Sequence, residues 1–136
     1  MIEYFRLIFD SGLLILILIV QLIVYPSFMH YEQKNLLSWH SIYTKKIAFI
    51  VIPLMFGQLF VAIFQVYQKQ IFDTVFYAVV VLTLWGITLM KFAPMHAKIS
   101  NGDSDRRLLL KLVNLNWYRT FLWCVLFLFT LFKLCF

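Results

Sequence analysis

The stretch Asn114-Leu115-Asn116-Trp117-Tyr118-Arg119-Thr120 decides how this chain must fold. It sets two amides, a guanidinium and a hydroxyl inside an apolar segment that runs to the C-terminus. An arginine deep in a membrane helix costs at least ~2.5–3.5 kcal/mol, so it has to face protein, water or a headgroup. Helical spacing puts Asn116, Arg119, Thr120 and Trp123 on one face. Asn114 points elsewhere, nearer the membrane surface. A helix built on this stretch presents a polar stripe inward, and other helices are expected to supply its partners.

The rest of the composition agrees with a bilayer as solvent. The chain has 136 residues, of which 63% are hydrophobic and 13% charged. A soluble domain of this length has too much surface for its volume to hide so many apolar side chains. The mean hydropathy of +0.88 and the long apolar runs point the same way. The net charge of +6 then reads as an orientation signal rather than a nucleic-acid surface, so the lipid bilayer is the expected partner and nucleic acid is not. Cys124 and Cys135 lie about three turns apart in one apolar run and cannot bridge within a helix. They read as small buried hydrophobes. The apolar run after Arg6 is long, ends at Tyr25-Pro26 and lacks a small-residue cleavage site, so it reads as a retained helix.

The expected fold is all-α, a single domain over residues 1–136 with four transmembrane helices. The spans are expected at about 4–29, 46–67, 71–98 and 108–136. Each is long enough to cross ~30 Å of hydrocarbon at ~1.5 Å per residue. The first connection, Ser27 to Lys45, mixes aromatic and charged residues and reads as a short interfacial helix. Gln68 to Gln70 is a tight turn, and Asn101-Gly102-Asp103 is a strong turn signal. Ser104 is expected to cap the fourth helix, with Asp105 in its first turn. Lys34, Lys45, Lys46, Lys91, Lys98, Arg106, Arg107 and Lys111 gather around the first and third connections, against Arg6, Lys69 and Lys133 at the other end. The positive-inside rule then puts both termini on the non-cytoplasmic side.

With that topology, polar groups converge within the cytoplasmic half. His96, Asn116 and Arg119 are the candidate catalytic groups: His96 a proton carrier, Arg119 the stabiliser of an anionic oxygen, Asn116 its orienter. Gln21, Tyr25, Gln58, Trp85, Lys91, Trp117 and Thr120 are the candidate ligand-binding residues. A plainer reading stands beside this one, in which Gln21, Gln58, Asn116 and Thr120 are interhelical hydrogen-bonding glue. His30 and His40 read as surface histidines, and Asp10 as a structural group reaching Lys133 or water. The three histidines form no HxxxH or HxxE pattern, so no metal site is expected and the sequence requires no cofactor.

Three stretches carry a resemblance: Gln21 to Phe28 around Tyr25-Pro26; Phe92 to Ser100 around Pro94 and His96, followed by Gly102; and Leu112 to Thr120. Together they resemble small bacterial four-helix membrane proteins of uncharacterised function, distantly similar to the anthrone-oxygenase-like family. The elements matching that family are Pro26, Pro94 and His96, and Asn116, Arg119 and Thr120. The resemblance covers nearly the whole chain in order. It implies a bacterial inner-membrane protein and a cofactor-independent oxygenase or oxidoreductase chemistry. Gln58 stands where the family carries a glutamate, a departure that removes one acid/base group. A looser similarity, through Tyr25-Pro26-x-Phe28-x-His30, is to four-helix protoporphyrinogen oxidases, but that family's histidine in helix one is missing here.

Three functions follow as expectations. The leading one is an intramembrane polar pocket (His96, Asn116, Arg119) for a small apolar, quinone-like or lipid ligand. The second is a non-enzymatic accessory subunit of a larger membrane complex, or a homo-oligomer. The third is the oxygenase chemistry that the resemblance implies.

Overall fold

A chain in hydrocarbon has no water to satisfy its backbone, so long apolar runs become helices that close their own hydrogen bonds. The computed structural model describes residues 1–136 and contains no strand. It has four helices long and apolar enough to cross a membrane: α1 (Ile2–His30), α2 (Gln33–Gln68), α3 (Phe72–Ser100) and α4 (Arg106–Cys135). Short connections force neighbours to run antiparallel. α1 packs on α2 and α4, α2 on α3, and α3 on α4, which closes an up-down ring. One end, called here the terminal end, holds both termini and the α2–α3 turn. The basic end holds the other two turns.

The bundle is apolar outside and mixed within. Phe49, Phe60, Leu82, Phe121 and many other large apolar side chains are exposed, whereas 11 of the 32 buried residues are polar or charged. That inversion suits a protein whose outer face meets lipid, because buried polar groups then pair with one another. The chain is a multi-pass membrane protein on these grounds.

The first connection departs from expectation. No separate interfacial helix forms, and α2 begins at Gln33 rather than near Lys46. Nothing between Gln33 and Ile52 breaks a helix, and Lys45-Lys46 are good helix formers. Leu36, His40 and Tyr43 recur at helical spacing and turn into the bundle, which anchors the extra turns. The cap of α4 also shifts by one residue. Asp105, not Ser104, takes the amide of Arg107, at 3.2 Å. Gly102 (φ 98°) closes α3 with bonds from its own amide to Ile99 and from Asp103 to Lys98. The left-handed conformation there favours glycine.

Two irregular turns shape the basic half. Val20–Val24 in α1 and Thr88–Phe92 in α3 are π-helical, and each directly precedes an X-Pro pair, Tyr25-Pro26 and Ala93-Pro94. A proline lacks the amide proton, and its ring crowds the carbonyl four residues back. A widened turn absorbs that conflict and lets the helix continue. Both bulges lie just before the residues that matter next.

Candidate functional site

The polar side chains of the interior fall into two groups with an apolar cavity between α2 and α3 beside them. At the terminal end, α1 presents Arg6 and Asp10 one turn apart on its buried face, and both are 0% exposed. Arg6 Nε donates to Thr130 Oγ1 at 2.7 Å, and that hydroxyl donates to Asp10 Oδ2 at 2.6 Å. The guanidinium also reaches Gln65 and Asp73, each at 3.3 Å, and stacks 3.7 Å over the Tyr77 ring. Asp10 Oδ1 accepts from Gln58 and Tyr77, both at 2.7 Å. Lys133 closes this end by pairing with Glu3, at 2.8 Å, and with Asp73. All four helices contribute.

At the basic half, Gln21 and Asn116 join α1 to α4. Asn116 Nδ2 donates to Gln21 Oε1 at 2.9 Å, and Gln21 Nε2 donates to the Val113 carbonyl at 3.1 Å. Thr120 caps the same oxygen of Gln21 at 3.4 Å. Arg119 Nη1 donates to Asn116 Oδ1 at 3.3 Å, and its guanidinium lies 4.3 Å from the centre of the Phe92 ring. The Arg119 Nε–H has no partner, although the atom is buried.

Beyond Arg119 is a cavity of about 370 Å³, bounded by all four helices. Its walls are mainly apolar, with Ile17, Val51, Met55 and Phe92 among them. Its rim between α2 and α3 includes Ile52, Phe56 and Leu89, which are themselves exposed on the outer face. The opening is therefore lateral. Two further buried polar atoms without partners, Trp85 Nε1 and Thr88 Oγ1, belong to residues lining the same space. Thr88 starts the π-helical turn of α3.

A line of hydrogen bonds leaves this cavity for the basic end. Tyr25, a lining residue, has its hydroxyl 2.9 Å from His96 Nε2. His96 Nδ1 lies 2.9 Å from His40 Nε2, and His40 Nδ1 lies 3.1 Å from Ser100 Oγ. The two imidazoles stack, with centroids 5.1 Å apart. No third His, Cys, Asp or Glu joins them in a metal-sized group.

Of the residues singled out in the sequence, Tyr25, Trp85, His96 and Arg119 line the cavity together. Asn116 holds Arg119, and Gln21 and Thr120 stand behind in the same network, with Gln21 accepting from both Asn116 and Thr120. Gln58 lies in the terminal-end network, donating to Asp10 and accepting from Trp123 at 3.4 Å. Lys91 is exposed and outside the cavity, and Trp117, 50% exposed, faces away from the bundle. Asp10 meets Gln58, Tyr77 and Thr130 rather than Lys133 or water. His40 is not a surface histidine: it is fully buried, edge-on to the Phe28 ring. The helical recurrence of Leu36, His40 and Tyr43 was the signal for it, masked by the lysines around it. Arg6 with Asp10 at one-turn spacing was the corresponding signal at the other end.

Compared with known protein families, curated proteins and solved structures, the chain shows no match.

Proposed function

We propose that this protein binds a small, largely apolar molecule bearing an oxygen acceptor, a quinone-like compound or a lipid fragment, in the cavity between α2 and α3. The observation that carries this reading is the trio of unpartnered buried polar atoms around one apolar space: Arg119 Nε, Trp85 Nε1 and Thr88 Oγ1. A buried donor left unmade costs about 1–3 kcal/mol, more when charged, so such atoms call for a partner. A carbonyl or phenolic oxygen in the cavity supplies one, while its ring and tail take the apolar walls. The volume lies within the usual range of ligand sites. The lateral rim lets such a molecule arrive from the bilayer without crossing water.

Arg119 is the anchor in this reading. Asn116, itself bonded to Gln21, holds its guanidinium from behind, and Phe92 and Trp123 flank it at 4.3 and 5.2 Å. The membrane is the bacterial inner one, with the lysine- and arginine-rich turns on the cytoplasmic side and both termini opposite. The ligand then sits in the cytoplasmic half of the bilayer.

The test is a titration of purified protein with a decyl-tailed benzoquinone, read by quenching of tryptophan fluorescence, with Trp85 and Trp123 in the cavity wall. Saturable quenching is expected, weakened at least about tenfold by Arg119→Met and abolished by Ala48→Phe, which fills the space. Non-saturable quenching, equal in all three proteins, would overturn the assignment and leave the accessory-subunit reading.

A further inference from the structure

We infer that Tyr25, His96, His40 and Ser100 form a proton wire that joins the cavity to water at the basic end of the bundle. The inference rests on the ligand-site reading above for its purpose, and on the hydrogen-bond geometry for its existence.

The geometry constrains the chain more tightly than a list of contacts suggests. Each neutral imidazole carries one proton on two nitrogens. The His96 Nδ1–His40 Nε2 contact at 2.9 Å needs one proton, not two and not none. Suppose His96 supplies it. His96 Nε2 is then bare and accepts from the Tyr25 hydroxyl, while His40 must carry its proton on Nδ1 and donates to Ser100. Suppose instead His40 supplies it from Nε2. Its Nδ1 now accepts from Ser100, His96 carries its proton on Nε2 and donates to Tyr25, and the Tyr25 hydrogen is free to point into the cavity. One shared bond fixes the polarity of all four groups. Only two states exist, and they differ by the sense of every donor.

Passing from one state to the other moves a proton end to end. A ligand hydroxyl gives its proton to Tyr25 Oη as the Tyr25 proton passes to His96 Nε2. The Nδ1 proton of His96 passes to His40 Nε2, that of His40 to Ser100 Oγ, and that of Ser100 to water. Each group gains one proton and loses one, so no charge stays in the chain. The ligand becomes an anion beside Arg119, a lining residue with an unpartnered N–H. Turning the groups back resets the line.

Burial and exposure suit the ends. Tyr25 is buried and faces the cavity, and Ser100 is exposed beside the α3–α4 turn. The titratable or charged groups around His96 are Tyr25 from α1, His40 and Tyr43 from α2, and Arg119 from α4; Lys91 and Lys98 of α3 are exposed. Packing against Phe28 and Phe92 keeps Tyr25 in place, with ring centroids 5.8 and 6.4 Å away.

The experiment uses lawsone, an ionisable hydroxynaphthoquinone whose visible band changes with its protonation. Bound lawsone is followed after a rapid pH jump in wild type and in His40→Gln, which lies outside the cavity wall and keeps a donor and an acceptor but cannot relay. The relaxation is expected to slow at least about tenfold in the variant with affinity held within about threefold. Equal rates would overturn the wire. Should lawsone fail to bind the wild type, the ligand-site reading is what has failed. The wire is then judged by nitrogen NMR of histidine-labelled protein without ligand. His40 and His96 showing the same tautomer keeps it, and opposed tautomers or an imidazolium refute it.

Discussion

Arg6 and Thr130, 124 residues apart, meet inside the bundle through a 2.7 Å hydrogen bond from Nε to Oγ1. Thr130 in turn donates a hydrogen bond to Asp10 at 2.6 Å, so a single hydroxyl stands between a buried cation and a buried carboxylate. Buried charges are tolerable only when their hydrogen bonds are complete. The hydroxyl gives each of them one of its bonds.

Thr130→Val keeps the shape and deletes that hydroxyl. Arg6 and Asp10 each lose a partner, and thermal unfolding in detergent should show a loss of about 1–3 kcal/mol. The control is Thr83→Val. Thr83 is exposed and its hydroxyl bonds only the Val79 carbonyl of its own helix, at 2.8 Å, so a change within about 0.5 kcal/mol is expected.

Gln58→Glu tests the contact between α1 and α2 at Asp10. The Gln58 amide donates to Asp10 at 2.7 Å while its carbonyl accepts from Trp123. A carboxylate at the same place faces another carboxylate. Destabilisation of about 2 kcal/mol or more is expected at neutral pH, measured by the same unfolding assay. A stability equal to wild type would mean that Asp10 and position 58 are not in contact.

Gly57→Ala tests the seam between α1 and α2. A Cβ there would lie 2.3 Å from the Phe9 ring, so the ring must give way. The expected cost is about 1–3 kcal/mol, relieved by Phe9→Leu in the double variant. Gly86→Ala has open space around it and should be neutral or slightly stabilising.

Topology is checked by single cysteines at Gln70 and Asn101, both exposed in turns, in a background lacking Cys124 and Cys135. A membrane-impermeant maleimide should label Gln70→Cys only from the side of the termini, and Asn101→Cys only from the other. Labelling of both from one side would contradict four crossings.

Trp85→Phe removes one of the unpartnered donors of the cavity without changing its apolar character. Affinity for the decyl-tailed benzoquinone, read by quenching of the remaining Trp123, should fall about three- to tenfold, the value of one neutral hydrogen bond. An unchanged affinity would place the quinone oxygen elsewhere in the cavity.

The four spans were legible because apolar runs of this length have one solution in lipid. The inward turn of Asn116, Arg119 and Trp123 followed from three-and-four spacing within one helix, and all three are buried. What the sequence could not supply was pairing between helices. Gln58 reads beside Gln21 as a candidate ligand-binding residue, yet it serves Asp10 and Trp123 instead. Depth makes that choice: in the antiparallel pair Gln58 stands toward the terminal end of α2, level with Asp10, whereas Gln21 lies in the basic half of α1. His40 was hidden for a different reason. Its surroundings are charged and look like a connection, so the helix that buries it was not drawn far enough back.

The network at the terminal end has a consequence for how the protein is made. Arg6 and Asp10 leave the ribosome first, but their partners are Gln58 and Gln65, then Asp73 and Tyr77, and last Thr130. Until translation has passed Thr130, Arg6 and Asp10 each lack the hydroxyl that joins them. The network therefore closes only when α4 is in place, and a chain cut short before Thr130 leaves a buried cation and a buried carboxylate without the group that links them.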